Sequence, residues 1–279
     1  MTSTSAPDTY IDVAAFQDDV TYLEALFQRR VVGDSEFPLI DVGQGEPLVF
    51  VPILEHLEFV YARQVRFFSE HRRVILYRRH ETRVHFTRMQ QRVEELRDLL
   101  NHLEIVSADF VAHGDGAMVL LEFALRYPQR CRSLTIVSQA ADYRIKPHPW
   151  IWLLHELYLR LPVKHILPAA FVRRIVVNYI VARQPRAEPR KEGETLHLLP
   201  RACIEGQFAK INAWPSVYKF SVLPIIHSFT IRKRLAGLTM PILLINRFDD
   251  QLAPEYKTHW FAEHLPNCAG YHVIPGGER

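Results

Sequence analysis

The feature that most constrains this chain is an alternation: short apolar runs suited to buried strands are separated, repeatedly, by stretches with helical spacing. LVFV (48–51) and RRVILY (72–77) flank HLEFVYARQVRFFSEH, so the order is strand, helix, strand, as a parallel pair with a crossover requires. Between Met89 and Leu103, the residues Val93, Leu96, Leu99, Leu100 and Leu103 form one helical stripe. The strand ADFVAH, the helix GAMVLLEFALRYP and the strand SLTIVS follow it. Near the end, MPILLIN, APEYKTHWFAEHLP and AGYHVIPG repeat the pattern. Such alternation predicts an α/β fold, a mostly parallel sheet covered by helices on both faces, with ligands met at the carboxyl ends of the strands.

Two regions depart from the alternation. Residues 1–9 are polar, and Ile11, Phe16, Val20, Leu23 and Phe27 then recur at near-helical spacing, which predicts an amphipathic lead-in helix through TYIDVAAFQDDVTYLEALFQRR. Residues 142–238 are helical in pattern and rich in large apolar side chains, with the polar segment RQPRAEPRKEGE in the middle. That stretch reads as an inserted helical cap. No repeat of solenoid period is present.

Composition excludes several classes. Of 279 residues, 48% are hydrophobic and 23% charged, which is globular usage and far from the regime of disorder. A formal charge of +3 gives no reason to expect a nucleic-acid partner. The three cysteines, Cys131, Cys203 and Cys268, are widely spaced and form no CxxC pair, which argues against a disulfide framework and a zinc knuckle and for a reducing compartment. The N-terminus lacks a basic region followed by an apolar one, and no apolar run reaches the roughly 18 residues of a spanning helix. A cytoplasmic protein without a transmembrane segment is expected. Arg72, Arg73, Arg78, Arg79, Arg83, Arg88 and Arg92 make a basic run, but it lacks interleaved aromatics and is diluted by Glu81, Glu94 and Glu95, so it reads as a solvated rim.

Four segments carry a resemblance. FVAHGDGAMVLLEFALRYPQRCRSLTIVS (110–138) is similar to the nucleophile-elbow region of α/β-hydrolases, and DVGQGEPLVFVP, MPILLINRFDDQLAP and YHVIPGG match other parts of that fold in the same order. The resemblance covers roughly residues 36–140 and 235–279 and implies the α/β-hydrolase fold. It divides the chain into an N-terminal helical extension (1–35), a hydrolase core (36–141 and 239–279) and a helical cap (142–238).

The resemblance also implies where the chemistry should sit, and there the chain departs from the family. The elbow is small-x-nucleophile-x-small. Ala112 and Gly116 supply the small flanks, and Gly114 stands at the centre, where a residue without a side chain cannot form an acyl-enzyme. A shifted register with Asp115 as nucleophile, as in haloalkane dehalogenases and epoxide hydrolases, would put His113 at a small position. Asp115 at the oxyanion position adds negative charge where negative charge would need to develop, although an acidic residue also suits the first turn of a helix. Asp250, four residues before Pro254, matches the triad acid, and an aspartate at a strand end also holds turns. Arg279 falls where the histidine is expected, and arginine cannot act as a general base. Ile53 replaces a glycine of the oxyanion loop, and RRHETR replaces the family's glycine-bearing turn after RRVILY.

The preferred reading is therefore a non-hydrolytic protein of this fold that binds a small apolar molecule or a partner in a capped pocket lined by Ile53, Glu55, His56, Gly114 and Trp152. A protein partner or a second copy is a further option. The alternative is an enzyme with non-serine chemistry, a lyase, cyclase or cofactor-free oxygenase, using His113, Asp115 or Asp250 as acid or base. A third is a hydrolase truncated before its histidine. No cofactor is expected, and no metal, because His56, His80 and His113 lack ligand spacing. In the cap, Trp150, Trp152, Leu153, Leu157 and Leu161 recur at helical spacing, and their face is expected to be buried over an apolar cavity beside Ile53, Gly114 and Asp250.

Overall fold

Asp12 starts the first helix, because its carboxylate accepts the N–H groups of Ala14 and Ala15 at 2.9 and 3.1 Å, donors that the helix itself leaves over. Helix α1 then runs over Val13–Leu26. The computed structural model describes residues 12–32, 35–53, 56–79, 85–142, 200–210, 216–248, 250 and 253–274, with a few positions between 157 and 178. The helical spacing extends through Arg30, but the backbone turns extended at Phe27. Gln28–Val32 form an edge strand, β1, inside the segment read as a helical extension. Pairing overrides spacing here: β1 lies antiparallel to β2 (Ser35–Val42), which takes up its backbone groups.

The remaining core elements follow the predicted order. They are β3 (Pro47–Val51), a 3-10 turn (Glu58–Tyr61) leading into α2 (Ala62–Phe68), β4 (Arg73–Tyr77), α3 (Met89–His102), β5 (Ala108–His113), α4 (Asp115–Arg126) and β6 (Cys131–Val137). After the insertion come β7 (Ile242–Arg247), a helix over Glu255–His264 and β8 (Cys268–Ile274). The strands form one sheet in the order β1-β2-β4-β3-β5-β6-β7-β8. Strands β3 to β8 pair in parallel, and among the described strands β2 alone runs against the rest, pairing antiparallel with both β1 and β4.

Strand alternation determines what covers each face. Val49, Val51, Ile75 and Tyr77 join Val93, Leu96, Leu100, Met118 and Leu121 in a large cluster under α3 and α4. The residues between them, Leu48, Phe50, Val74 and Leu76, join Leu23, Tyr61 and Val65 under α1 and α2. With both faces covered, the strands read as continuous apolar runs rather than alternating ones. Within 142–238, the described stretches include α5 (Arg201–Ala209), a π-helical turn (Tyr218–Val222) and α6 (Leu223–Ser228). The helix over Glu255–His264 is α7. Ile225 and Phe229 pack into the large cluster, so this part of the insertion is anchored on the core.

Trp150, Trp152 and Leu153 lie outside the described residues. Leu157 is 50% exposed and Leu161 half-buried, so the face that spacing assigned to the interior is open at Leu157. Helical period fixes which residues share a face, not what covers it. No described helix is long and apolar enough to cross a membrane.

Candidate functional site

β5 delivers the centre of the site. Its last residue, His113, is followed by Gly114 at φ 57°, ψ −125°, and α4 begins one residue later. The Gly114 N–H donates to Val137 O at 3.1 Å and its carbonyl accepts from Ala117 N–H at 3.1 Å, so the reversal is held from both sides. A left-handed φ between a strand and a helix is the sharp, strained turn of a nucleophile elbow, and Gly114 occupies its tip. A Cβ on Gly114 would meet nothing within 4 Å. The backbone therefore leaves room for a side chain that the sequence does not supply.

The small flanks are a steric requirement. Ala112 is fully buried. A Cβ on Gly116 would come within 2.8 and 2.7 Å of the carbonyl oxygens of Val51 and Pro52, because the end of β3 presses against the start of α4. This geometry sets the register at Gly114. Asp115 is the first residue of the helix, and its backbone N–H is one of the donors the helix leaves over.

The Asp115 carboxylate corrects one expectation and Arg79 another. Asp115 Oδ2 lies 2.8 Å from Arg79 Nη2, and both side chains are buried. The negative charge placed beside the oxyanion position is thus compensated by a cation from the end of β4 rather than left facing the site. Arg79, read as part of a solvated rim, is 2% exposed, and Arg92 of the same run is buried too, with Glu95 at 3.0 Å. Sequence spacing could not separate these from exposed Arg88, because the run crosses from strand to loop to helix. The available signal was topological: Arg79 and Asp115 both follow the carboxyl ends of strands in one parallel sheet.

His113 sits between the elbow and the acid loop. Its backbone N–H donates to the Tyr61 hydroxyl at 3.0 Å, and that hydroxyl donates to Val51 O at 3.1 Å, tying the ends of β5 and β3 together. Its ring Nδ1 is shut off from solvent without a hydrogen-bond partner among the described residues. Burial holds the imidazole below the usual histidine range, against the opposing pull of Asp250 and then Asp115. His113 is accordingly neutral near pH 7, with both carboxylates within electrostatic reach.

Asp250 Oδ1 accepts the Ala253 N–H at 3.0 Å, the bond by which an aspartate holds a turn, just before Pro254 opens α7. Ile53 is half-buried beyond Pro52. His56 takes a left-handed φ of 66°, and its N–H donates to Glu58 Oε1 at 3.2 Å. Glu58, which the sequence reading passed over, is 1% exposed and lies 3.3 Å from Arg78 Nε. Burial pushes its carboxyl up to about 7 despite that arginine. Glu55, Trp152 and Arg279 lie outside the described residues. Among the described residues, no three His, Cys, Asp or Glu side chains gather as a metal site would need. A polar hollow of about 280 Å³ opens elsewhere, at the amino end of β4, between Arg30, Asp41, Arg73, His102 and Glu104.

This strand order, with an elbow after β5, defines the class: the chain has the α/β-hydrolase fold. No family model matches it. The structure is similar to the enol-lactonase from Burkholderia xenovorans LB400, with a TM-score of 0.66, 18% identity and coverage of 89% of this chain and 90% of that one. In sequence it is 26% identical over 179 residues to the candidate carbamate hydrolase RutD of Stutzerimonas stutzeri (strain A1501), covering 62% of this chain and 60% of that protein. It is also 22% identical over 153 residues to the pimeloyl-[acyl-carrier protein] methyl ester esterase of Nitrosomonas europaea (strain ATCC 19718), covering 55% of this chain and 57% of that protein. The matched stretches thus span about three-fifths of the length of these curated relatives.

Proposed function

We propose that this chain is a non-hydrolytic protein of the α/β-hydrolase fold that binds a small apolar molecule over the carboxyl edge of its sheet. The observation that carries the reading is Gly114: the elbow keeps its strained backbone and its small flanks, yet its tip has no atom with which to attack a carbonyl. The relatives named above are a carbamate hydrolase, an ester esterase and an enol-lactonase by name, so the chemistry to test first is ester, lactone or carbamate cleavage. In this chain the missing side chain widens the floor of the site, Ile53 adds apolar surface to its wall, and the Asp115 charge is held by Arg79. An apolar ligand would then bind through buried area, at about 25 cal/mol per Å² before association costs. Arg279, at the position the resemblance gives to the histidine, agrees with the same reading.

A second reading has one observation in its favour. His113 is a neutral, shielded imidazole with Asp250 and Asp115 close enough to act on it, which is the material of general acid–base catalysis without a nucleophile. One experiment separates the two. The full chain is incubated with p-nitrophenyl acetate, p-nitrophenyl butyrate and an enol lactone, and its thermal stability is followed across fatty acids, terpenoids and aromatic lactones. Binding without turnover above buffer supports the first reading. Turnover that disappears in His113→Gln or Asp250→Asn overturns it in favour of the second.

A further inference from the structure

Lys219 is the most unusual charged residue among the described ones outside the elbow. It lies in the π-helical turn Tyr218–Val222 and is 5% exposed. Single π turns inside helices are rare and recur at functional sites. An ammonium group carries three donors. Among the described residues its partners are one carbonyl oxygen, Leu161 O at 2.5 Å, and the face of Phe220, whose ring centroid lies 5.3 Å from Nζ. Among the described residues no carboxylate pairs with it, whereas the buried arginines do have carboxylates: Arg79 has Asp115 and Arg92 has Glu95. Burying a cation without a countercharge costs several kcal/mol, and folded proteins resolve it by pairing or by losing the proton. Burial holds this lysine below its usual range.

The turn is on the side of the sheet where a ligand would be met. Thr87 N–H donates to Phe220 O at 2.8 Å, and Thr87 Oγ1 lies 3.4 Å from Ser221 Oγ. Those contacts fasten the turn to the segment entering α3, at the carboxyl end of β4, and the next helix, α6, packs against α4 behind the elbow. We propose that Lys219 is the countercharge for an anionic head group, and that the ligand is an apolar-tailed monocarboxylate rather than a neutral molecule. A carboxylate offers two oxygens to the two ammonium donors that Leu161 leaves over, in a charge-assisted contact. The inference rests on the binding function proposed above and narrows its ligand class.

The test compares decanoate with methyl decanoate and 1-decanol, which share the tail and lack the charge, by calorimetric titration of the full chain at pH 7.5. Decanoate is expected to bind at least about tenfold tighter than either, since a hydrogen bond to a charged group contributes about 1.5–3 kcal/mol. Lys219→Met should bring the three to within about twofold, and Lys219→Arg should keep the preference for the acid. A measurement on the unaltered protein guards against a variant that fails to fold: decanoate, and not methyl decanoate, should protect Lys219 from reductive methylation. Equal affinity for acid, ester and alcohol, or a preference unchanged in Lys219→Met, overturns the role of Lys219 and leaves the binding function standing. If none of the three binds, both fall together.

Discussion

Strand β5 has an arginine–aspartate cluster at each end, and the two are built on opposite terms. At the amino end, Asp109 is a quarter exposed and shares its carboxylate among Arg72 at 2.5 Å, Arg132 at 3.2 Å and Ser133 Oγ at 2.8 Å. At the carboxyl end, Asp115 is buried and faces the buried Arg79 at 2.8 Å. Water and redundancy protect the first cluster, because each partner has another acceptor or donor. The second is shut off from water: its attraction is stronger in a dry environment, and so is the penalty for removing half of it. The sheet thus spends its exposed charge on sealing one edge and its buried charge on supporting the elbow at the other.

The largest expected effect follows from that contrast. Arg79→Leu leaves Asp115 buried without a cation among the described residues, and it should destabilise the fold by about 3–5 kcal/mol, read as a loss of denaturation midpoint. Adding Asp115→Asn should recover most of that loss, because the amide carries no charge to compensate. If the single variant costs under about 1 kcal/mol, the carboxyl-end pair is no more than a surface pair and the comparison breaks.

Two neighbours of the elbow should respond to pH in opposite directions. The Glu58 carboxyl is raised from 4.5 to about 7, so between those values the folded state holds a proton that the unfolded chain has released. Stability should fall as pH rises through that window and level off above it. The neutral His113 works the other way: its folded value is lowered from 6.5, so the unfolded chain takes up a proton first and stability is lost as pH falls below 6.5. Melting curves from pH 4.5 to 8 should show Glu58→Gln flattening the neutral-side decline and His113→Asn flattening the acid-side one. A wild-type profile that both substitutions leave unchanged would mean that neither group is buried as described.

The sheet was legible because strands covered on both faces survive in the sequence as continuous apolar runs between helical stretches, as at Leu48–Val51 and Val74–Tyr77. The elbow was legible from Ala112, Gly114 and Gly116, whose sizes answer steric demands, and the 2.7 Å approach of Pro52 O to a Cβ on Gly116 is the reason. β1 was not legible, because two of the five residues of QRRVV are basic and the segment owes its extended form to β2. Three buried charged residues were missed for a related reason. Arg79, Glu58 and Lys219 are charged residues whose burial depends on which loops converge, and a linear basic run or an isolated lysine carries no trace of that.

A smaller effect is expected at the elbow itself. Gly114→Ser introduces a Cβ into open space at a left-handed φ, so the cost is backbone strain alone, roughly 1–3 kcal/mol. The variant should fold and still fail to turn over p-nitrophenyl butyrate, since supplying the nucleophile does not supply a base aligned with it. Measurable esterase activity from this single change would show that a competent base is already in place, with His113 and Asp250 the first residues to test.

The smallest effect should come from the amino end, and it decides whether the contrast along β5 is real. Asp109→Ala removes the carboxylate shared by Arg72 and Arg132, yet Arg72 Nε still donates to Glu46 O at 2.9 Å. Arg132 keeps Pro47 O at 3.2 Å and the Glu46 side chain. Both guanidinium groups are about a third exposed, so solvent can take up whatever the protein no longer accepts. The expected loss is at most about 1 kcal/mol, and much of it should vanish when wild type and variant are compared at high ionic strength, because salt screens exposed pairs first. The same salt series applied to Arg79→Leu should leave its deficit nearly intact, since ions do not reach the pair behind the elbow. If instead the Asp109 variant loses as much as the Arg79 variant, at any salt concentration, then exposure is not what separates the two ends of the strand, and the redundancy of Arg72, Arg132 and Ser133 protects nothing.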